Sequence, residues 1–191
     1  MHMYADDTQI YVSSDPKNSE NAVQNMKNCT NDLRQWMNSN HLKLNDSKTE
    51  YLLVGTKVNL KKAQDLSSIT IGNDNISAAD CAKNIGAVLD SRLSLTYQVN
   101  SITRACYFHL HRIKQIRSFL TQDAALTLVC SLILSRLDYA NSLLYDIPDI
   151  LLNKLQIVQN NAARFLSLEN QSGSIILNSL QLIEEDIRNA I

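Results

Sequence analysis

The sequence has 191 residues, which favours one domain or two small, closely packed lobes. Apolar residues make up 45% and charged residues 19%, which excludes a disordered chain, while four glycines and two prolines disfavour a turn-rich sandwich or barrel. Eighteen basic and nineteen acidic residues give a net charge of -1, so the average charge argues against binding of nucleic acid or membrane over the whole surface.

The first 14 residues predict a tight β-hairpin with an acidic turn, because two short β-prone runs flank Asp6 and Asp7. Hard divalent cations prefer carboxylate oxygens, so paired aspartates at a hairpin tip can form half of a magnesium site. Two such ions can polarise the attacking hydroxyl and stabilise the leaving oxygen in nucleotidyl transfer. An isolated Asp-Asp pair is more often an acidic turn in solvent, and the residues alone leave both alternatives open.

A helix and several short strands are predicted up to about residue 92. Apolar residues recur at three- and four-residue spacing from Glu20 to Met37, which predicts a helix that lies on a sheet, with Trp36 in the core, and ends at residues 38–40. Alternating apolar runs between polar turns predict strands, and two of them form a hairpin around residues 72–75. The predicted strands are residues 42–45, 49–54, 69–71, 76–78 and 85–89.

The remainder of the chain is helical in period. Three apolar stripes predict helices over residues 99–120, 126–137 and, after Pro148 and Asp149, 151–166. Tyr139 lies in line with these stripes and is expected in the core. The cysteine spacing matches neither a zinc site nor a dense disulfide framework, so all four are expected as reduced core thiols: Cys29, Cys81, Cys106 and Cys130.

The charge is unevenly distributed along the chain. Residues 1–90 hold nine basic and eleven acidic side chains, whereas residues 91–122 hold five basic side chains and no acid. Arg104, Arg112 and Lys114 fall on the side of the predicted helix away from its apolar stripe, with His111 between them. The spacing alone is compatible with an ordinary solvated helix face and with a surface that binds phosphate groups.

Several strings in one order resemble the C-terminal palm and thumb of reverse transcriptases. The strings resemble in particular those of LINE-type, non-LTR retrotransposons of the jockey and chicken-repeat groups, over about residues 3–168. Each string is weak singly, and the signal is their order and spacing. The strings are Tyr4-Ala5-Asp6-Asp7-Thr8, the helix that ends in Trp36, residues 42–50, 83–90, 113–117, 135–142 and 155–164.

The resemblance implies a role for each matching residue. Asp6 and Asp7 match the metal-binding aspartates of the family, with Asp6 preferred as the direct Mg²⁺ ligand, and Tyr4 matches the residue beside the primer terminus. Lys48 matches a lysine thought to assist the leaving pyrophosphate in a turn that Asn45 helps to fix; the residues alone favour a solvated turn lysine. Residues 83–90, with Lys83, match the hairpin that grips the primer. The basic residues expected on the thumb, in contact with the phosphates of a heteroduplex, are Arg104, Arg112, Lys114 and Arg117.

The sequence also departs from the family pattern at both ends. The family's chemistry needs a further aspartate from an upstream strand and the fingers, and three residues precede the Tyr-Ala-Asp-Asp run. Residues 176–183 lack the histidine, tryptophan and proline that are usual after the thumb. We therefore expect a truncated fragment of an RNA-directed DNA polymerase that is inactive alone. The alternative is a non-catalytic nucleic-acid-binding or interaction module that uses the basic thumb-like helix.

The fold expectation is α+β: a partial polymerase palm, with an antiparallel sheet of about three to five strands and one covering helix, followed by a bundle of about three helices. The expected domains are residues 1–92 for the palm, 93–168 for the thumb and connector, and 169–191 for a shortened extension. The resemblance implies an RNA template and a DNA primer as partners. The early charges and the short apolar runs predict neither a secretory signal nor a membrane span, so the expected compartment is cytoplasmic or nuclear.

Overall fold

The computed structural model describes residues 2–4, 7–15, 19–45, 48–63, 66–71 and 74–167. These residues form a mixed structure of helices and small sheets, in line with the α+β expectation. They divide into two compact units. The first comprises the residues up to Ala82 together with Asp90–Leu93, and the second comprises Lys83–Leu89 together with the residues from Ser94 on.

The first unit contains short strands and two helices. Strands β1 and β2 form one antiparallel pair, whereas β3, β4 and β5 form a sheet in the order β3-β5-β4, in which β3 is parallel and β4 antiparallel to β5. The predicted hairpins at residues 1–14 and around residues 72–75 are confirmed. The elements are β1 (His2–Tyr4), β2 (Asp7–Gln9), α1 (Ser19–Ser39), β3 (Tyr51–Leu52), α2 (Lys57–Lys62), β4 (Ser68–Ile71) and β5 (Asp74–Ala79).

Helix α1 covers this small sheet, as the apolar spacing predicts. Val23 and Met26 pack against the buried side chains of Tyr51, Ile69 and Ile71. These contacts make a core of limited size, because the strands provide few inward-facing side chains. The stability of the first unit therefore depends on a small number of apolar contacts.

The expectation that Trp36 is a core residue is wrong, since 55% of its surface is exposed. A helix of 21 residues, such as α1, spans about 31 Å, whereas a strand of four residues, such as β4, spans about 13 Å. The last turns of the helix therefore extend past the sheet. Trp36 lies in those turns, which leaves its indole largely in solvent.

The predicted strand at residues 42–45 is also absent from the described structure. Helix α1 ends with His41 in the left-handed conformation, at a φ of 57°, and the amide of Leu42 donates to the Met37 carbonyl at 2.8 Å. This is a Schellman cap, which uses the amide that a strand would need for pairing. The single antiparallel sheet is likewise wrong, because the described strands form three small sheets, one of which contains a parallel pair.

A third small sheet joins β6 (Cys81–Asn84) to β7 (Ala87–Asp90), with Ile85 and Gly86 at the turn between them. Residues 83–89 belong to the second unit. The strand predicted at residues 85–89 is therefore present in a shifted form, and its partner strand is the segment directly before it.

The second unit is the predicted helical bundle, and α3 packs against α6 within it. Its core contains apolar side chains from all three predicted stripes, for example Val99, Ile133 and Val158, which have no exposed surface. The elements are α3 (Thr96–Gln115), a 3₁₀ turn (Arg117–Phe119), α4 (Gln122–Val129), a π-helical turn (Cys130–Leu134), α5 (Ser135–Asp138), a 3₁₀ turn (Asn141–Leu144) and α6 (Asp149–Ser167).

The π-helical turn changes which residues of the second stripe are buried. Ala125, Val129, Ile133 and Leu137 recur every four residues and are all buried, although regular α-helical geometry would rotate such a series steadily away from the core. The wider π turn offsets part of that rotation. Cys130 is exposed as a result, so the expectation that all four cysteines are core thiols is wrong for this one.

Candidate functional site

The acidic turn lies between the paired strands β1 and β2. Tyr4 is the cross-strand partner of Asp7, and Met3 is the partner of Thr8. The side chains of Tyr4 and Asp7 are both exposed. Asp6, the other expected metal ligand, lies outside the described residues. The register therefore keeps Tyr4 and Asp7 side by side at the open end of this hairpin.

A second contact fixes the far end of the same hairpin. The His2 and Tyr11 rings are stacked with centroids 5.6 Å apart, and the Tyr11 hydroxyl lies 3.4 Å from Nε2 of His2. This contact continues the pairing beyond the strand residues themselves. It helps to hold a two-stranded ribbon that would otherwise be marginally stable.

The described part of the acidic turn supplies one carboxylate, that of Asp7. Within the described ranges, no group of three or more His, Cys, Asp or Glu side chains is placed to hold a metal ion. Magnesium keeps near-octahedral oxygen coordination and commonly uses one or two carboxylates together with water and phosphate. The described residues therefore do not fit a complete two-metal centre, and such a centre would need ligands from outside them.

Lys48 lies in a tight turn whose anchor is the Asn45 backbone. The carbonyl of Asn45 accepts hydrogen bonds from the amide of Lys48 and from the hydroxyl of Thr49, each at 3.1 Å. The Lys48 side chain is exposed. The turn therefore fixes the backbone from which Lys48 projects into solvent, and Asn45 has the anchoring position that the sequence resemblance implies for it.

The hairpin of β6 and β7 is held by two side chains of the helical unit. The amide of Val88 donates to Oε1 of Gln98 at 2.8 Å, and the hydroxyl of Tyr139 donates to the carbonyl of Ile85. Gln98 is buried, whereas Lys83 on β6 is exposed. The sequence patterns alone point to neither Gln98 nor Tyr139 as a contact of this hairpin.

Tyr139 is not the core residue that the apolar stripe predicts, because 49% of its surface is exposed. Its hydroxyl reaches a backbone carbonyl 54 residues earlier in the chain. The side chain is therefore a surface tie between the helical bundle and the hairpin. Its position in the stripe reflects the packing of one ring face, while the polar end is committed to the carbonyl.

Helix α3 presents the basic strip that the sequence predicts. Arg104, Arg112 and Lys114 are exposed, while Val99, Ile102, Cys106, Leu110 and Ile113 are buried on the opposite side. The residues of the second unit up to Ser167 include eight Lys or Arg and four Asp. The described second unit is therefore positively charged, although the whole chain is nearly neutral.

Aromatic side chains lie among these basic groups. Tyr97 and Phe108 are exposed, the latter by 61%, and both lie at helical spacing with Arg104 and His111 on the outer face. Exposed aromatic rings stack on nucleic-acid bases, and neighbouring cations contact phosphates. Helix α3 therefore carries both kinds of group that a surface for nucleic acid uses.

Arg117 differs from the other predicted phosphate contacts. Its guanidinium donates to the carbonyl of Leu120 at 3.1 Å and to Oε1 of Gln122 at 2.7 Å, and it lies 5.7 Å from the ring centroid of Phe165. Gln122 in turn donates to the Leu166 carbonyl at 3.0 Å. These contacts use Arg117 to join the end of α3 to α4 and α6.

Two buried acids have shifted pKa values outside the predicted site. Burial raises the pKa of the Cys106 thiol to about 11, against a smaller opposing effect of Arg136. Burial also raises the pKa of the Tyr51 hydroxyl. Because the thiolate is the reactive form of cysteine, Cys106 is chemically inert near neutral pH.

No family model matches the sequence, and neither the curated proteins nor the solved structures provide a match. Within the part of the chain that the structure describes, none of the helices has the length and hydrophobicity that a bilayer crossing requires. The argument for a function therefore depends on the sequence resemblance and on the geometry of the acidic turn, the two hairpins and helix α3.

Proposed function

We propose that these residues form the palm and thumb region of an RNA-directed DNA polymerase of a LINE-type, non-LTR retrotransposon. The observation that carries the proposal is the register of the β1–β2 hairpin, in which Tyr4 is paired with Asp7 and both side chains are exposed. An aromatic side chain beside carboxylates suits a site where a primer end meets metal-bound phosphate. In this proposal Asp6 and Asp7 hold Mg²⁺ together with ligands from outside the described residues.

Two further features support the same proposal. The Asn45-anchored turn projects Lys48 into solvent, where an ammonium group can neutralise a pyrophosphate leaving group. The β6–β7 hairpin, with exposed Lys83, is the segment that the resemblance assigns to the primer. In this proposal, residues of each hairpin contact the primer strand.

The proposed partners are an RNA template and a DNA primer. Arg104, Arg112 and Lys114 contact backbone phosphates of the heteroduplex, which positions it without reading its sequence. Arg117 acts indirectly, because its guanidinium is engaged within the bundle. This activity implies a cytoplasmic or nuclear location for the protein.

The 191 residues alone are expected to bind primed template without extending it, because the proposed metal centre needs a further carboxylate. The test combines three measurements on the purified chain: extension of an RNA-primed template with Mg²⁺ and nucleotides, binding of an RNA–DNA duplex, and NMR line broadening by Mn²⁺. We expect no extension, salt-sensitive duplex binding, and broadening confined to amides near Asp7. Robust extension would contradict the expected inactivity.

The matched variants are Asp6→Asn with Asp7→Asn, and Asp32→Asn with Asp80→Asn as a control of equal charge in the same unit. We expect the first pair to remove the Mn²⁺ broadening at Tyr4 and Thr8 and the control pair to retain it. A chain that shows neither Mn²⁺ broadening at this turn nor duplex binding would overturn the proposal.

The second candidate function is a non-catalytic nucleic-acid-binding module. The mixture of exposed aromatic and basic side chains on α3 favours it, because this surface needs no metal. The two functions differ in their dependence on the acidic turn. Duplex binding that is sensitive to salt but indifferent to Mn²⁺ and to the Asp6 and Asp7 variants would select the binding module.

A further inference from the structure

The turn between β6 and β7 has an unusual backbone conformation. Ile85 has a φ of 43° and Gly86 a φ of 83°, so both central residues of the turn have positive φ, as in type I′ turns. Glycine adopts this conformation freely, but a β-branched residue does so only with strain. Asparagine followed by glycine is the preferred pair for such a turn, so isoleucine at this position needs an explanation.

Packing does not supply that explanation, because 45% of the surface of Ile85 is exposed. A side chain with this exposure adds little to the stability of the core. An apolar, strained and exposed residue at the tip of a hairpin is therefore better explained by contact with a partner. Strained backbone that persists in a structure is also commoner at functional sites than elsewhere.

The strained tip is held in place by Tyr139. The Tyr139 hydroxyl donates to the carbonyl of Ile85, and its ring lies 3.2 Å from the position that a Cβ atom on Gly86 would occupy. Tyr139 follows the end of α5, and the next residue, Ala140, itself has a φ of 57°. The phenol is therefore fixed at the end of the helix and contacts both residues of the turn.

Gln98 holds the hairpin one strand position further on. Its Oε1 accepts the amide of Val88 at 2.8 Å, and only 4% of its surface is exposed. A buried amide side chain with one defined partner has little freedom to rotate. The hairpin is thus attached to α3 through Gln98 and to the end of α5 through Tyr139, and all of these residues belong to the second unit.

We propose that Tyr139 and Gln98 are positioning residues that hold the strained Ile85–Gly86 turn, so that the Ile85 side chain contacts the sugar and base of a bound nucleic-acid strand. The partner in this inference rests on the proposed function. The attachment of the hairpin is independent of it, because the hydrogen bonds that make it lie within the protein. Ile85 acts by direct contact, whereas Tyr139 acts through the backbone that it holds.

The test uses the full chain and two readouts, namely amide hydrogen exchange at residues 85–89 and affinity for an RNA–DNA duplex. Tyr139→Phe removes the hydroxyl, and Tyr145→Phe is the matched control at another exposed tyrosine. Loss of one hydrogen bond should accelerate exchange at Val88 by about 2- to 10-fold, and the duplex affinity should fall with it. The control should change neither quantity.

Ile85→Asn separates a positioning role from a purely structural one. Asparagine relieves the strain, so exchange at Val88 should slow, both in this variant and when it is combined with Tyr139→Phe. If Ile85 contacts the nucleic acid, the affinity nevertheless falls in both variants. A purely structural turn predicts the opposite result, namely unchanged or improved affinity in Ile85→Asn.

Each outcome decides one part of the inference. Unchanged exchange at residues 85–89 in Tyr139→Phe would overturn the attachment, and unchanged affinity in Ile85→Asn would overturn the contact of Ile85 with the strand. A wild-type chain that does not bind the duplex would contradict the proposed function and the Ile85 contact together. The exchange data would still decide whether Tyr139 holds the hairpin.

Discussion

The strongest quantitative prediction concerns the basic face of α3. The variant combines Arg104→Ala, Arg112→Ala and Lys114→Ala, which removes three exposed positive charges from one helix. Arginine, lysine and alanine are all good helix formers, so the substitutions should leave the helix intact. The relevant count is three, because the guanidinium of Arg117 is engaged by Leu120 and Gln122.

The expected size of the effect follows from counterion release. The logarithm of the binding constant of a duplex falls with the logarithm of salt concentration by about 0.9 for each phosphate contact. Loss of three contacts should therefore reduce the salt slope by about 2.7. Relative to 1 M salt, where this contribution vanishes, the same relation gives a loss of affinity of about 500-fold at about 0.1 M salt.

The assay is fluorescence anisotropy with a labelled RNA–DNA duplex, measured over a range of salt concentrations. The matched control replaces Lys57, Lys61 and Lys62 by alanine, which removes the same charge from the exposed short helix α2 of the first unit. Circular dichroism and the melting temperature verify that both variants remain folded. We expect a large change in slope for the α3 variant and a small one for the control.

Two results would refute the reasoning. An unchanged slope in the α3 variant would mean that its basic face is an ordinary solvated surface. Equal losses in the α3 variant and the control would mean that binding follows the total charge and uses no defined face.

Three further predictions test the folded core. Maleimide at neutral pH should label exposed Cys130 rapidly and buried Cys106 only after denaturation, as measured by mass spectrometry, and equal rates would contradict the burial of Cys106. Because the folded-state pKa of Cys106 is about 11 against 9.0 for a free thiol, stability is retained below pH 9 and falls as pH rises from 9 to 11. The raised pKa of Tyr51 acts in the same direction, so urea midpoints that stay flat over this range would refute both. Ile133→Ala should lower the free energy of unfolding by about 2–5 kcal/mol, whereas Ile150→Ala, at a largely exposed position, should change it by about 0.5 kcal/mol or less in chemical denaturation.

Local patterns in the sequence account for the elements that depend on near neighbours. The spacing of Val99, Ile102 and Cys106 predicts the buried face of α3, since a helix sets its own periodicity. The alternation around residues 72–75 predicts the β4–β5 hairpin, because its strands are joined by a short turn. The acidic hairpin is predicted for the same reason.

Contacts between distant residues account for what the sequence did not predict. The parallel pairing of β3 with β5 is set by packing between separate segments, and the alternation of either strand does not encode its partner. The exposure of Trp36 follows from the length of α1 relative to the sheet, and that of Cys130 from the π-helical turn.

The candidate site shows the same division. The amino-acid order alone identified the paired acids, Lys48 and the basic strip, because each is a short run or a helical periodicity. The tertiary structure alone decided that Arg117 is engaged inside the bundle and that Tyr139 holds the turn at Ile85. Partners of this kind are fixed by where a whole bundle brings separate segments together, and a local pattern carries no information about that distance.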